Sequence, residues 1–138
     1  MYLNNRLPAN LQSLQRLRIL VVDSSDDYCY MITVLLQLYG MEVLTASSAQ
    51  QALKIFIKWQ PDILVSEIAL PNDDSCTLIR QVRTKAGEHG KMVTAIALTD
   101  YNNQNDLCDG FDMQFSKPLN LDEFVTKLVC LAICYCSI

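Results

Sequence analysis

The sequence is poor in residues on which many catalytic sites depend. Its 138 residues include a single histidine, a single tryptophan and only four glycines. Neither a G-x-G-x-x-G nor a G-x-x-x-x-G-K-[ST] loop is present, which argues against a nucleotide site of either kind. No Ser–His–Asp or Cys–His set can be assembled, because His89 lies in the turn-like segment AGEHGK, where we expect an exposed loop residue.

Basic residues and long apolar runs are also scarce. Eleven Lys and Arg residues face fifteen Asp and Glu residues, for a net charge of −4 and a pI near 4.8. This balance argues against a nucleic-acid-binding surface. No apolar run reaches the ~18 residues of a membrane span, and the N-terminus lacks the apolar segment of a signal peptide. We therefore expect a cytoplasmic protein that binds neither nucleic acid nor membrane.

Six cysteines are present, and their spacing does not suggest a disulfide framework. In a chain without an export signal we expect reduced, mostly buried thiols. The terminal cluster of Cys130, Cys134 and Cys136 could bind a metal, since the first two share a helix face. Apolar helix packing is the preferred interpretation of this cluster.

Segments of two kinds alternate along a chain that is the size of one domain. Short apolar runs predict five strands, at 18–23, 41–46, 62–66, 92–99 and 112–116. Helical spacing follows each strand, at 24–40, 47–60, 75–87, weakly at 102–110, and at 120–136. This order predicts an α/β fold with a five-stranded parallel, doubly wound sheet. We expect a polar N-terminal arm at 1–16 and one domain at 17–138.

Polar side chains follow four of the predicted strands. Asp23 ends the first strand, Glu67 follows the third, Thr99 ends the fourth, and Lys117 follows the fifth. In a doubly wound sheet, ligands bind beyond the carboxyl ends of the strands. Carboxylates, a hydroxyl and an ammonium suit a phosphoryl group held with a divalent cation.

Four segments together resemble the signature segments of response-regulator receiver domains of two-component systems. They are ILVVDSSDD, PDILVSEIALPNDDS, AIALTDY and FSKPLN, and the resemblance extends from Arg18 to about Val129. It implies a flavodoxin-like receiver fold in which a strand-end aspartate accepts a phosphoryl group from a histidine kinase. It also implies a Mg²⁺ ion bound by an acidic pair, the acceptor and a backbone carbonyl.

The resemblance assigns roles position by position. Glu67 stands at the phospho-acceptor position and is also an expected metal ligand. Asp23 matches the first acid of the metal-binding pair, and Ala69 supplies the backbone carbonyl. Thr99 and Lys117 match the hydroxyl and the lysine that respond to the phosphoryl group.

The sequence departs from the family pattern at four positions. Glutamate replaces aspartate at position 67, and Ser24 replaces the second acid of the metal-binding pair. Gln114 stands where an aromatic residue is usual, and Ser75 replaces the glycine after the loop acid Asp74. The longer Glu67 side chain misplaces the attacking oxygen, and the missing acid weakens the Mg²⁺ site. We therefore predict impaired phosphorylation and a Mg²⁺ site that is weak if it exists.

Three roles remain open for Glu67. It could imitate part of the phosphorylated state and hold the Thr99 side in a signalling conformation. It could instead form a plain buried ion pair with Lys117. Slow phosphorylation is the third possibility, at Glu67 itself or at Asp23, Asp26 or Asp74.

The sequence predicts signalling by protein–protein contact with a histidine kinase or another signalling protein, and no enzymatic activity. The apolar end of the last helix, with the fourth helix and fifth strand, is a candidate homodimer or partner surface, although simple core packing explains it nearly as well. Two alternatives stay open: a receiver that is still phosphorylated, and a small Mg²⁺-dependent phosphoryl-handling enzyme on the same fold.

Overall fold

The computed structural model describes residues 17–70, 74–100 and 108–137. The strands are β1 (Arg18–Val22), β2 (Glu42–Ala46), β3 (Ile63–Glu67), β4 (Thr94–Thr99) and β5 (Met113–Ser116). The helices are α1 (Asp26–Gln37), α2 (Ala49–Trp59), α3 (Asp74–Glu88) and α4 (Leu121–Ser137). The predicted arm at 1–16 and most of the weak helix predicted at 102–110 lie outside the described residues.

The five strands form one parallel sheet, as the sequence predicts, and their order in the sheet is β2-β1-β3-β4-β5. Alternate residues of β1 face opposite sides, so Ile19 packs with Ile32 and Phe124 from α1 and α4. Leu20 packs on the other face with Phe56 of α2. The central strands are apolar on both faces because helices cover both sides of the sheet.

Local sequence signals explain several helix ends. Ser25, Ser48 and Asn120 cap α1, α2 and α4, and each side chain accepts a hydrogen bond from a backbone N–H three residues later. Gly40 has a φ of 80° and closes the turn after α1, as expected.

Helix α1 buries Cys29, Ile32 and Leu36, whereas Val34 is 41% exposed. One predicted helix end is wrong. Helix α3 does not stop at the predicted Gly87 but runs to Glu88, and Gly90 adopts the positive φ of 63° in the turn that follows. A helix can carry a glycine in its last turn when a later residue supplies the left-handed conformation.

The expectation of six reduced cysteines is also wrong. Cys76 in α3 and Cys108 form a disulfide, with their Cα atoms 5.7 Å apart. A separation of 32 residues hides this pair in the sequence, and the tertiary fold brings the two together. Cys29 is a buried free thiol and Cys130 an exposed one, whereas the side chains of Cys134 and Cys136 lie outside the described part.

His89 is exposed in the turn after α3, which confirms that prediction. Among the described residues, no group of three or more His, Cys, Asp or Glu side chains could hold a metal ion. No helix in those same residues combines the length and apolar character needed to cross a bilayer.

Candidate functional site

The site lies at the carboxyl-terminal edge of the sheet, where four strands end side by side. In the parallel register Glu67 of β3 pairs with Leu98 of β4, and Thr99 pairs with Ser116 of β5. Asp23 follows directly after β1, and Lys117 directly after β5. Parallel pairing thus brings together side chains that lie up to 94 positions apart in the chain.

Lys117 is the centre of this site. Its Nζ lies 2.8 Å from Oδ2 of Asp23 and 3.0 Å from Oε2 of Glu67, so a single ammonium group pairs with two carboxylates. The same Nζ lies 4.3 Å from the centre of the Tyr28 ring, a cation–π contact. The lysine side chain is only 15% exposed. The ammonium group therefore occupies the space between the two acids.

Backbone geometry holds Lys117 in place. Its N–H donates to the carbonyl of Thr99 at 2.6 Å, which extends the β4–β5 ladder by one residue. The following peptide bond, to Pro118, is cis. The lysine side chain thus begins from a backbone position that the sheet determines.

Both carboxylate oxygens of Glu67 are engaged. Oε1 accepts hydrogen bonds from the backbone N–H of Ser24 at 3.0 Å and from the Ser24 hydroxyl. Oε2 accepts a hydrogen bond from Lys117. Ser24 stands where the family has the second acid of the metal-binding pair, and here it donates hydrogen bonds to Glu67, the residue at the acceptor position.

Asp23 is fully buried. Its Oδ1 accepts a hydrogen bond from the backbone N–H of Ser25 at 2.8 Å. Its Oδ2 lies 2.8 Å from Nζ of Lys117, and the charge of the ammonium group balances this oxygen.

Burial acts against ionisation of both carboxyls, yet their pKa values shift in opposite directions. Desolvation dominates at Asp23 and raises its pKa above the ordinary 3.8, although Lys117 and Ser25 act in the other direction. Burial also opposes ionisation of Glu67, but hydrogen bonds from Ser24 and Lys117 outweigh it and lower the pKa below 4.5. For Lys117, burial acts against the charged form, and the two carboxylates overcome it and raise the pKa above 10.5.

Thr99 is buried beside this ion triad, which consists of Asp23, Glu67 and Lys117, but its hydroxyl does not bond to the triad side chains. Its hydroxyl donates to the carbonyl of Phe115 at 3.5 Å. Ser75 is buried as well, and its hydroxyl donates to the carbonyl of Ile68 at 2.8 Å. Ser75 therefore holds the start of α3 against the residue that follows Glu67.

Other residues that the sequence predicted for the site are not part of the ion triad. Ala69 and Gln114 are exposed, and the side chain of Asp74 lies outside the described part of the chain. Sequence reasoning missed the contact of Tyr28 with Lys117 and the donor role of Ser24. The position of Tyr28 in the first turn of α1, just after the Asp23 strand end, was the only signal that could have suggested the first contact.

Comparison with known proteins identifies the family. The family model described as "Response regulator receiver domain" matches residues 19–129. An uncharacterised 14.6 kDa protein of Leptolyngbya boryana is 34% identical over 128 residues, which cover 88% of this chain and 96% of that protein. The transcriptional regulatory protein TrcR of Mycobacterium tuberculosis is 31% identical over 116 residues, which cover 81% of this chain and 44% of the regulator.

A solved receiver-domain structure agrees with the fold. The crystal structure of a response regulator receiver domain protein from Clostridium thermocellum has a TM-score of 0.75 at 23% identity, and covers 88% of this chain and 97% of the other. The match of the family model to most of the chain, joined to this topology, identifies the chain as a member of the response-regulator receiver domain family.

Proposed function

We propose that this chain is a degenerate receiver domain, which acts by contact with other signalling proteins and accepts phosphoryl groups poorly. The observation that carries the proposal is the engagement of both Glu67 oxygens, one by Ser24 and the other by Lys117. An acceptor must present a free oxygen in line with the donor phosphorus. Neither oxygen of Glu67 is free in this sense.

The length of Glu67 supports the same conclusion. A glutamate carries its carboxylate one methylene further from the strand than the aspartate that the family uses. A displacement on the order of 1 Å costs about a hundredfold in a reaction that depends on positioning. Phosphorylation at Glu67 is therefore slow even when a donor reaches the pocket.

Receiver domains typically bind Mg²⁺ at the phosphorylation site, and the residues of this chain fit the ion poorly. The two carboxylates, Asp23 and Glu67, share Lys117, whose ammonium lies between them. Ser24 adds no charge, and its hydrogen bonds occupy a Glu67 oxygen. A divalent cation would have to displace the ammonium group, so we propose that Mg²⁺ binding is weak.

The contacts favour the plain ion pair over mimicry of the phosphorylated state. Mimicry in the form predicted from the sequence requires Glu67 to engage Thr99, yet the Thr99 hydroxyl bonds to the Phe115 carbonyl instead. A single closed set of contacts supplies one conformation, and a switch needs two. We therefore propose that the ion triad holds the domain in a constant state that partners recognise.

The partners follow from the family and from the charge of the chain. We propose a histidine kinase or another signalling protein as the partner, in the cytoplasm, with no nucleic acid and no enzymatic turnover. A homodimer through α4 remains part of the proposal, and sedimentation of the full chain over a range of concentrations tests it. The domain boundaries, with an arm at 1–16 and the receiver at 17–138, are proposed as predicted.

The decisive experiment measures intact mass after incubation with Mg²⁺ and a small acyl-phosphate donor. Three proteins are compared: the native chain, Glu67→Asp, and the control Glu42→Asp, which makes the same change on the exposed strand β2. We expect no phosphoryl adduct on the native chain or on Glu42→Asp. Glu67→Asp should gain one phosphoryl group that alkali or hydroxylamine removes, as expected of an acyl phosphate, if the rest of the pocket is intact.

The other outcomes are equally clear. A native chain that gains one phosphoryl mass is a working receiver, and the proposal is then wrong. If Glu67→Asp also fails to react, the double variant Ser24→Asp/Glu67→Asp tests the metal site. Reaction of the double variant alone would assign the defect to Ser24 as well as Glu67.

A further inference from the structure

Helix α3 and the segment that leads into β5 are tied together along one helix face. Cys76 forms the disulfide with Cys108. One turn further along α3, Ile79 lies so close to Gly110 that a Cβ on the glycine would be 2.8 Å from Cγ1 of Ile79. The next turn brings Arg83, whose Nη2 donates to the Gly110 carbonyl at 2.6 Å.

Arg83 also holds the far end of this segment. Its Nη2 lies 2.7 Å from Oδ2 of Asp112, and its Nη1 donates to the carbonyl of Val93. Positions 76, 79 and 83 share one face of α3 because they follow the i, i+3, i+7 spacing of a helix. The disulfide is thus the covalent member of three ties, and the other two do not depend on it.

The two bonded cysteines differ from the buried thiol of Cys29. Cys76 and Cys108 are both partly exposed. Cys29 is buried, its thiol donates to the carbonyl of Asp23, and burial raises its pKa. Exposed disulfides are the labile ones, whereas buried apolar thiols are inert. Cys76 is also the third residue of α3, where the helix N-terminus stabilises a leaving thiolate.

We propose that Cys76 and Cys108 form a reversible thiol–disulfide site, whose reaction partner is a dithiol reductant. A thiolate of the reductant attacks Sγ of Cys108, the S–S bond breaks, and Cys76 leaves as a thiolate that takes up a proton. The second thiolate of the reductant then attacks the mixed disulfide and releases Cys108. Two electrons pass to the cysteine pair, and the reductant leaves as its own disulfide.

Hydrogen bonds connect both ends of this site to segments that lie next to the ion triad. Ser75, the neighbour of Cys76, bonds to the Ile68 carbonyl, one residue after Glu67. On the other side, the N–H of Asp112 donates to the Ala95 carbonyl at 2.8 Å, just before β5, which ends beside Lys117. Reduction removes the covalent tie and loosens the segment 108–112 against α3, while the contacts of Arg83 preserve the fold.

The test begins with the redox equilibrium of the native, folded chain. The protein is equilibrated with reduced and oxidised dithiothreitol over a ratio range of about 10⁴, then alkylated and mapped by peptide mass. We expect Cys76 and Cys108 to become alkylated together at one midpoint within this range. Cys29 should stay unmodified and Cys130 modified throughout, so these two residues serve as internal standards.

Hydrogen exchange then tests the consequence of reduction. We expect amides of 108–116 to exchange at least about tenfold faster in the reduced chain than in the oxidised chain, with β1 unchanged. Cys108→Ser should match the reduced native chain at every redox ratio, and Cys130→Ser should behave as the native chain. The reduced native chain provides the same comparison if the variant folds poorly.

Three results would overturn the proposal. The pair could resist reduction until the protein is denatured, which would make the disulfide a permanent structural link. It could remain reduced at the most oxidising ratio. The pair could be reduced and reoxidised within the range while the amides of 108–116 exchange at the same rate in the reduced and the oxidised chain. None of these results bears on the phosphorylation test, because the redox step uses neither Glu67 nor Lys117.

Discussion

Glu67 and Lys117 form an ion pair across strands that are not neighbours. Glu67 ends β3 and Lys117 follows β5, with β4 between the two strands, yet Nζ of Lys117 lies 3.0 Å from Oε2 of Glu67. Two long side chains cross this gap, and glutamate contributes one methylene more than aspartate would. The glutamate that we propose impairs the acceptor chemistry is thus also the residue that extends a carboxylate toward the lysine.

Removal of the shared cation should destabilise the domain strongly. Lys117→Met leaves two mostly buried carboxylates without a counter-charge, and we expect a loss of about 3 kcal/mol in the free energy of unfolding. Urea unfolding measures this loss, and Lys54→Met on the exposed face of α2 is the control, expected within about 0.5 kcal/mol of the native chain. A loss below about 1 kcal/mol for Lys117→Met would contradict an energetically important triad.

Asp23 and Glu67 should have opposite effects on the pH dependence of stability. The raised pKa of Asp23 means that the folded chain takes up a proton before the unfolded chain does, so its contribution to stability increases as pH falls from neutrality toward 3.8. The lowered pKa of Glu67 gives a contribution that is complete above 4.5 and is lost as pH falls through the folded-state value.

Paired variants measure these two contributions by urea unfolding between pH 3 and 7. The stability of the native chain relative to Asp23→Asn should rise as pH is lowered from 7 toward 4. Its stability relative to Glu67→Gln should stay flat over that range and fall at lower pH. If both stability differences changed in the same direction as the pH falls, the two carboxyls would not have oppositely shifted pKa values.

Restoring the acidic pair should restore metal binding. In Ser24→Asp/Glu67→Asp an added carboxylate replaces a hydrogen-bond donor, and the shorter acceptor side chain withdraws from Lys117. A hard cation such as Mg²⁺ gains affinity with each carboxylate ligand, so we expect binding at least about tenfold tighter than in the native chain. Titration calorimetry with Mg²⁺ measures the change, with Glu42→Asp as the control. Equal affinities would mean that Ser24 and Glu67 do not limit the site.

Two glycines should respond oppositely to the same mutation. Gly110 has a φ of 116° and no room for a Cβ beside Ile79, so Gly110→Ala should cost at least about 2 kcal/mol. Gly87 lies in the last turn of α3 with nothing within 4 Å of the added carbon, and Gly87→Ala should stabilise by about 0.5–1 kcal/mol. Thermal unfolding of both variants checks the pair. A neutral Gly110→Ala would contradict the tight contact between α3 and the segment before β5.

The sequence by itself predicted the architecture and the positions of the strand-end residues. Hydrophobic runs alternate with helical spacing, and parallel strands place their carboxyl ends together, so Asp23, Glu67, Thr99 and Lys117 could be assigned to one edge before any coordinates existed. Local sequence also offered Ser25 or Asp26 as the cap of α1 and Asn120 as the cap of α4, because a cap depends only on residues three positions apart.

Only the tertiary structure decided which partner each of these groups takes. That Lys117 pairs with both acids, that Ser24 donates to Glu67 and that Thr99 bonds to Phe115 depend on distances across the sheet. The Cys76–Cys108 disulfide likewise joins residues 32 positions apart. Local patterns encode secondary structure because they act over a few residues, whereas pairing depends on the packing of the whole domain.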